Sequence, residues 1–414
     1  MNNYLILVMG IILFKYVLNF VVDTLNLKSA NPSLPSEFQG YYDKEKYENS
    51  QYYLRDKTRF GQVEDTVGNI LVIAFILLGG FNLVDTFARS FNYGPILSGL
   101  IFAGVLMFFS QVIGIPFLAF NTFVIEEKYG FNKTTVKTFI QDLVKGLVLG
   151  AIIGGSAYAV IVWFFIKAEN MAWVYCWGAL TLFELFLMFI APVVIMPMFN
   201  KFIPLEDGEL KTTLEDYARS QNFKMQGVFK MDGSRRSTKS NAFFTGFGKF
   251  RRIALFDTLI EKHTTDELVS VLAHEIGHYK KKHIIKTMMI SISTTGLMFY
   301  ILSSFINNQG LFAAFKMENV SVYASLVFFG FLYTPINMIF SVIGSVISRK
   351  HEYEADRFAI STYKKPEAFI NALKKLSVDN LANLTPHPLK VFLDYSHPPV
   401  LERIKAIRSI KDSE

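Results

Sequence analysis

Three side chains in this sequence could hydrolyse a bond together: His274, Glu275 and His278, in the run 264-TTDELVSVLAHEIGHYKKKH-283. Imidazoles four residues apart on a helix lie one turn apart on one face, so both can reach a single zinc ion at about 2.0–2.1 Å. A carboxylate beside them can take a proton from water activated by that ion. The same triplet also occurs on ordinary solvated helices, and context must decide. The run reads as one helix. Thr264 with Glu267 is a capping-box start, and Leu268, Val271, Leu272 and Ile276 form an apolar stripe. Gly277 leaves room for a second backbone. His283, five residues beyond His278 and on another face, reads as a membrane-edge residue rather than a ligand.

A catalytic zinc takes three protein ligands and keeps a fourth position for water. The third must come from elsewhere, because no further His follows at metzincin spacing. The best candidate region is 349-RKHEYEADRFAISTY-363, helical by pattern. Glu352 and Asp356 share a face there. Glu352 would bind the metal, and Asp356 would accept the outer N–H of a metal-bound His. Ala355 and Ala359 are small, as close helix packing requires. A solvated charged helix accounts for the same pattern, since Glu354 and Arg357 also lie there. His351 is a rival ligand, about 100° round the helix from Glu352.

The elements that must position these residues are set in a membrane. Of the 414 residues 51% are hydrophobic and 19% charged, with 41 Phe, and mean hydropathy is +0.30. That composition excludes a disordered chain, a collagen-like fibre and a disulfide scaffold. The single Cys176 makes no internal disulfide and no C-x-x-C site. Seven apolar runs are long enough to span a bilayer: about 4–22, 68–84, 94–120, 147–167, 172–199, 284–305 and 322–347. The first carries Lys15 and lacks a cleavage signature, so it reads as a retained span.

Loops 23–67 and 121–146, segment 200–283 and tail 348–414 carry six, four, fifteen and twelve Lys and Arg, whereas the alternate loops hold only Arg89, Lys167 and Lys316. The positive-inside rule places the basic segments, and with them both zinc motifs, in the cytoplasm. It also accounts for the net charge of +7, so no nucleic-acid partner is expected.

Taken together, these motifs make the sequence resemble the type I CAAX prenyl proteases, seven-span membrane zinc metalloproteases. The resemblance covers nearly the whole chain. It is carried by the seven spans, H-E-x-x-H at 274–278, E-x-x-A-D at 352–356, 232-DGSRRSTKSNAFFTGFG-248 and 394-DYSHPPVLERI-404. It implies Glu352 as third zinc ligand, with Asp356 in the family's Asp position. It implies that Asn241 and Ala242 hold the substrate backbone on a strand beside the zinc, and that His397 and Arg403 line the active site. In this reading Glu275 is the general base, His397 donates to the oxyanion and Arg403 supports it. Segments 240–246 and 249–260 read as a β-hairpin turning at Gly246–Gly248. One departure stands out: Lys239 occupies the position where eukaryotic members usually have His.

The expected fold is mainly α: seven transmembrane helices enclosing a chamber, with a small α+β cytoplasmic zinc-protease domain. Residues 1–199 form the N-terminal membrane region and 200–414 the metallopeptidase region. The expected activity is cleavage near the C-terminus of CAAX-type, prenylated substrates, with one Zn²⁺ per chain and a monomeric protein in the bilayer. Rival readings are a quality-control protease of HtpX type, whose chains are shorter, and a channel or transporter. The C-terminal Lys411-Asp412-Ser413-Glu414 is no retention signal, and with the compact loops it favours a bacterial inner membrane over the endoplasmic reticulum.

Overall fold

Apolar and charged stretches alternate along the chain on the scale of a bilayer, and the helices follow that alternation. The computed structural model describes residues 2–245 and 252–411. Among the described residues seven helices are long and apolar enough to cross a membrane. Five precede the protease segment: α1 (Asn3–Ser29), α2 (Lys44–Leu77), α3 (Pro95–Phe120), α4 (Val136–Lys167) and α5 (Ala172–Ile190). Helix α6 (Thr265–Lys280) carries H-E-x-x-H, and α7 (His283–Ser303) and α8 (Val322–Tyr363) complete the membrane set. Two shorter helices, α9 (Pro366–Asp379) and α10 (Val400–Lys411), close the site from the tail.

Several boundaries differ from the sequence expectation, among them the start of α4, at Val136 rather than near 147. Helix α2 begins at Lys44, because charged residues 44–67 are good helix formers and the Asp43 side chain caps the Lys46 amide at 2.6 Å. It stops before Gly79, whose φ of +77° breaks the helix, and Gly80–Ser90 forms a separate helix. Helix α3 runs past its expected end at 120 into a π-helical turn, Asn121–Glu126, and α5 passes into another, Ala191–Ile195, inside its expected span. The last span does not end near 347: α8 has 42 residues, about 63 Å of helix against a hydrocarbon core of about 30 Å. Finally, 264–283 is not one helix, since Lys282 adopts a left-handed φ of +58° and the chain restarts at His283.

Between the fifth span and α6 the chain forms a four-stranded sheet. Strands β1 (Phe202–Pro204), β2 (Gly227–Met231), β3 (Ala242–Thr245) and β4 (Arg252–Phe256) are ordered β1-β2-β4-β3. β3 pairs antiparallel with β4, Ala242 opposite Leu255 and Thr245 opposite Arg252, which leaves β3 at the edge. The expected hairpin pairing is present, but its second strand gives way to helix at Asp257. The expected turn at Gly246–Gly248 lies outside the described residues.

The protease core packs Leu268, Leu272 and Ile276 of α6 against sheet residues Ile253 and Leu255 and tail residues Phe369 and Ile407. A second core inside the membrane region is built on phenylalanines, with Phe315 and Phe328 stacked at 3.9 Å.

Candidate active site

Helix α6 begins as its sequence dictates: the Thr264 hydroxyl accepts from the Glu267 amide and the Glu267 carboxylate accepts from the Thr264 amide, at 3.3 and 2.9 Å. It then crosses α8 at very short range. A Cβ on Gly277 would lie 3.0 Å from the Cα and 3.1 Å from the carbonyl oxygen of Ala355. Only small residues allow this crossing, and it brings both charged motifs together.

His274, His278 and Glu352 converge, each offering one ligand atom within 4.8 Å of the others. The two Nε2 atoms lie 3.1 Å apart. Glu352 Oε1 is 3.2 Å from His278 Nε2, and Oε2 is 3.4 Å from His274 Nε2. His274 Nδ1 lies 2.8 Å from Asp356 Oδ1, so the proton sits on Nδ1 and the Nε2 lone pair faces the cluster. Glu352 Oε2 is buried without a hydrogen-bond partner. Two imidazole nitrogens and an orphaned carboxylate oxygen, aimed at one point away from water, fit a divalent cation with nitrogen and oxygen ligands. His351 is outside this set; its ring stacks on His283 at 3.9 Å.

Arg403 is buried and grips Asp356 with two bonds, Nε to Oδ2 at 2.9 Å and Nη2 to Oδ1 at 2.6 Å. Its Nη1 is 3.5 Å from Glu352 Oε2. The guanidinium thus keeps Asp356 ionised and aimed at His274, a buried charge matched by a buried charge. Arg403 reaches the His274–His278–Glu352 cluster through these carboxylates. Glu402 does not pair with it; the Tyr353 hydroxyl reaches Glu402 at 3.4 Å.

Glu275 is half-buried on the same helix. Burial pushes its carboxyl above the ordinary carboxylate range, against the pull of His274 and His278, which suits a proton acceptor. His397 stands on the open side with Nε2 3.4 Å from Glu352 Oε1. Ser396 Oγ lies 2.9 Å from Nδ1. When the Ser396 hydroxyl donates there, the His397 hydrogen sits on Nε2, which faces the site.

The edge strand stands across a cavity of about 500 Å³ whose lining includes Ala242, Phe243, Glu275, His278, Ile284 and Met288. Asn241 is exposed and its Oδ1 accepts from the Ala242 amide at 2.8 Å. The residues just before β3 are anchored on two sides. Asn380 accepts from the Ser240 amide and donates to its carbonyl, at 3.1 and 3.2 Å. Lys239 Nζ donates to Tyr53 Oη and Glu126 Oε2, both at 2.8 Å, and lies 4.3 Å over the Phe131 ring. Lys239 therefore joins the membrane region to the base of strand β3.

Sequence reasoning placed His283 at a membrane edge and missed its contact with His278. His283 is buried, 3% exposed, with Nδ1 3.0 Å from His278 Nδ1 and Nε2 3.0 Å from Glu354 Oε2. The signal available was the Lys280-Lys281-Lys282 run, which marks the end of a helix.

Two family models cover the chain: "CAAX prenyl protease N-terminal, five membrane helices" over residues 23–201 and "Peptidase family M48" over residues 204–411. The chain is 35% identical to the CAAX prenyl protease 1 homolog of Arabidopsis thaliana, over 97% of this chain and 96% of that protein. It is 33% identical to CAAX prenyl protease 1 of Saccharomyces cerevisiae, over 94% and 91%. The crystal structure of S. mikatae Ste24p is similar with a TM-score of 0.93 at 32% identity, covering 98% of this chain and 99% of that one. These relatives are eukaryotic and lend no support to the bacterial membrane expected from the sequence. A multi-pass membrane chain with this ligand cluster, similar to these proteins along almost its whole length, belongs to peptidase family M48, in the branch that carries the CAAX prenyl protease N-terminal region.

Proposed function

We propose that this protein is a zinc endopeptidase that cuts near the C-terminus of prenylated, CAAX-type substrates at the cytoplasmic membrane face. The observation that carries the proposal is the half-buried Glu275 carboxylate beside a three-ligand cluster, facing the same cavity as the edge strand β3. The names of the relatives supply the substrate class.

His274, His278 and Glu352 would hold one Zn²⁺, and the ion supplies Lewis acidity that polarises the scissile carbonyl and acidifies water. Every other task falls to the chain. Asp356, clamped by Arg403, fixes the His274 ring. An extended peptide adds to the free edge of β3 through main-chain hydrogen bonds, with Asn241 and Ala242 setting its register. Glu275 accepts a proton from the attacking water and returns it to the leaving amine. His397 donates its Nε2–H to the oxygen that becomes negative. All these residues come from one chain, which supports a monomeric enzyme. The basic loops support a cytoplasmic site.

The test uses the purified full chain in detergent with two peptides, one farnesylated on its CAAX cysteine and one not. The expected result is a single cut in the farnesylated peptide, lost in Glu275→Gln while zinc is retained. Equal cutting of both peptides would support a general quality-control protease instead, and wild-type rates from Glu275→Gln would remove Glu275 from its role.

A further inference from the structure

The two zinc-facing imidazoles have different outer partners. His274 Nδ1 meets the Asp356 carboxylate directly. His278 Nδ1 meets a second imidazole, His283, and only through that ring a carboxylate, Glu354. Resting on the zinc reading of the site, we propose that His283 and Glu354 form a hydrogen-bond relay that positions the metal ligand His278, separate from the Asp356–Arg403 pair that positions His274.

Proton bookkeeping along the relay has one solution. His278 Nε2 faces the ligand cluster, so as a ligand it offers a lone pair there and carries its hydrogen on Nδ1. The nitrogen that carries it lies 3.0 Å from His283 Nδ1, which must then be the acceptor. The hydrogen of His283 is therefore on Nε2, 3.0 Å from Glu354 Oε2, a carboxylate that only accepts. Each donor meets one acceptor and none is left over. The geometry around the relay is equally specific. The left-handed Lys282 swings His283 back under His278, and His351 stacks against its ring at 3.9 Å and 11°. Lys286 Nζ lies 3.9 Å from Glu354 Oε2.

The difference has a direction. His274 is held by a buried carboxylate that is itself locked by Arg403. His278 is held by a neutral ring whose carboxylate stands one step further out, 32% exposed. His278 is therefore the looser of the two imidazole ligands, and metal release starts on its side. Outer partners of metal-bound His residues typically change metal affinity by about 10–100-fold.

Two substitutions separate a relay from mere packing. His283→Phe keeps a ring to stack on His351 and deletes both hydrogen bonds. His283→Gln loses the ring, yet its amide offers an acceptor and a donor spaced much like the two ring nitrogens. Zinc release from the full chain in detergent is followed with a chromogenic chelator, alongside zinc content before chelation. The relay predicts release about 10–100-fold faster for His283→Phe, within a few-fold of wild type for His283→Gln, and several-fold faster for Glu354→Leu. Wild-type release from His283→Phe, or equal acceleration by Phe and Gln, would overturn it. Glu354→Leu lies at the part-exposed end and keeps the test valid should His283→Phe fold poorly; unchanged release there also overturns the relay. A wild-type chain that holds no zinc would overturn the metal reading itself, and the relay with it.

Discussion

The membrane helices and the α6–α8 crossing are built from the same helical geometry under opposite demands. In the most apolar window of the Glu169–Phe199 span none of the residues is buried inside the protein, and in that of α1 only 17% are. In α6, ten of sixteen residues are buried, among them His274 and Glu267. The spans need apolar surface of sufficient length, and many residues can supply it. The crossing needs particular atoms at particular distances, and it keeps His274, His283, Glu352, Asp356 and Arg403 each under 10% exposed. Buried polar groups are stable only when every partner is present, so the site should be as intolerant as the spans are tolerant.

Four substitutions test that contrast, the largest expected effect first. Glu275→Gln should lower the rate of peptide cleavage by about 10²–10⁴-fold with zinc content unchanged by elemental analysis, because Glu275 is not among the ligands. Gly277→Ala should cost about 1–3 kcal/mol, read as a lower melting temperature in detergent, since its new methyl group meets the Ala355 backbone. Lys239→Ala should cost at most about 1 kcal/mol, because the pair with Glu126 is partly solvated. Its signature is a few-fold higher KM with kcat little changed, as the base of β3 loses one anchor. Leu182→Ala, at a position 70% exposed on α5, should stay within about 0.5 kcal/mol of wild type. If Leu182→Ala lowered the melting temperature as far as Gly277→Ala, the contrast between the two regions would fail.

Much of this organisation was legible in the sequence, in proportion to how local its cause is. His274, Glu275 and His278 follow from helical spacing alone. Glu352 and Asp356 share a face by spacing, but their partnership with α6 rests on a crossing between residues far apart in the chain; small Gly277 and Ala355 hinted at it, and the family resemblance supplied the rest. His283 opens the span α7 and is not a ligand, as read from the sequence, but its contact with His278 was missed because one helix was assumed where two exist. A single left-handed residue, Lys282, changes where every following side chain points, and five residues on a broken helix obey no periodic rule. Helix α2 was misjudged because hydropathy marks where a helix enters lipid, whereas its charged first half is helix in water. The grip of Arg403 on Asp356 was invisible, since nothing in the tail's local pattern points to a residue 47 positions earlier.

The length of α8 acts as a ruler. Glu352 stands about 45 Å along the axis from Val322, and the hydrocarbon core takes up about 30 Å of that. The ligand cluster is therefore held at most about 15 Å beyond the lipid boundary, and any tilt of the helix brings it closer. An extended peptide covers about 3.3 Å per residue, so a few residues of a chain anchored in that leaflet are enough to span the distance to the site. For a lipid-anchored substrate of the proposed kind, the helix brings the scissile bond and the anchor within reach of the same short stretch of peptide.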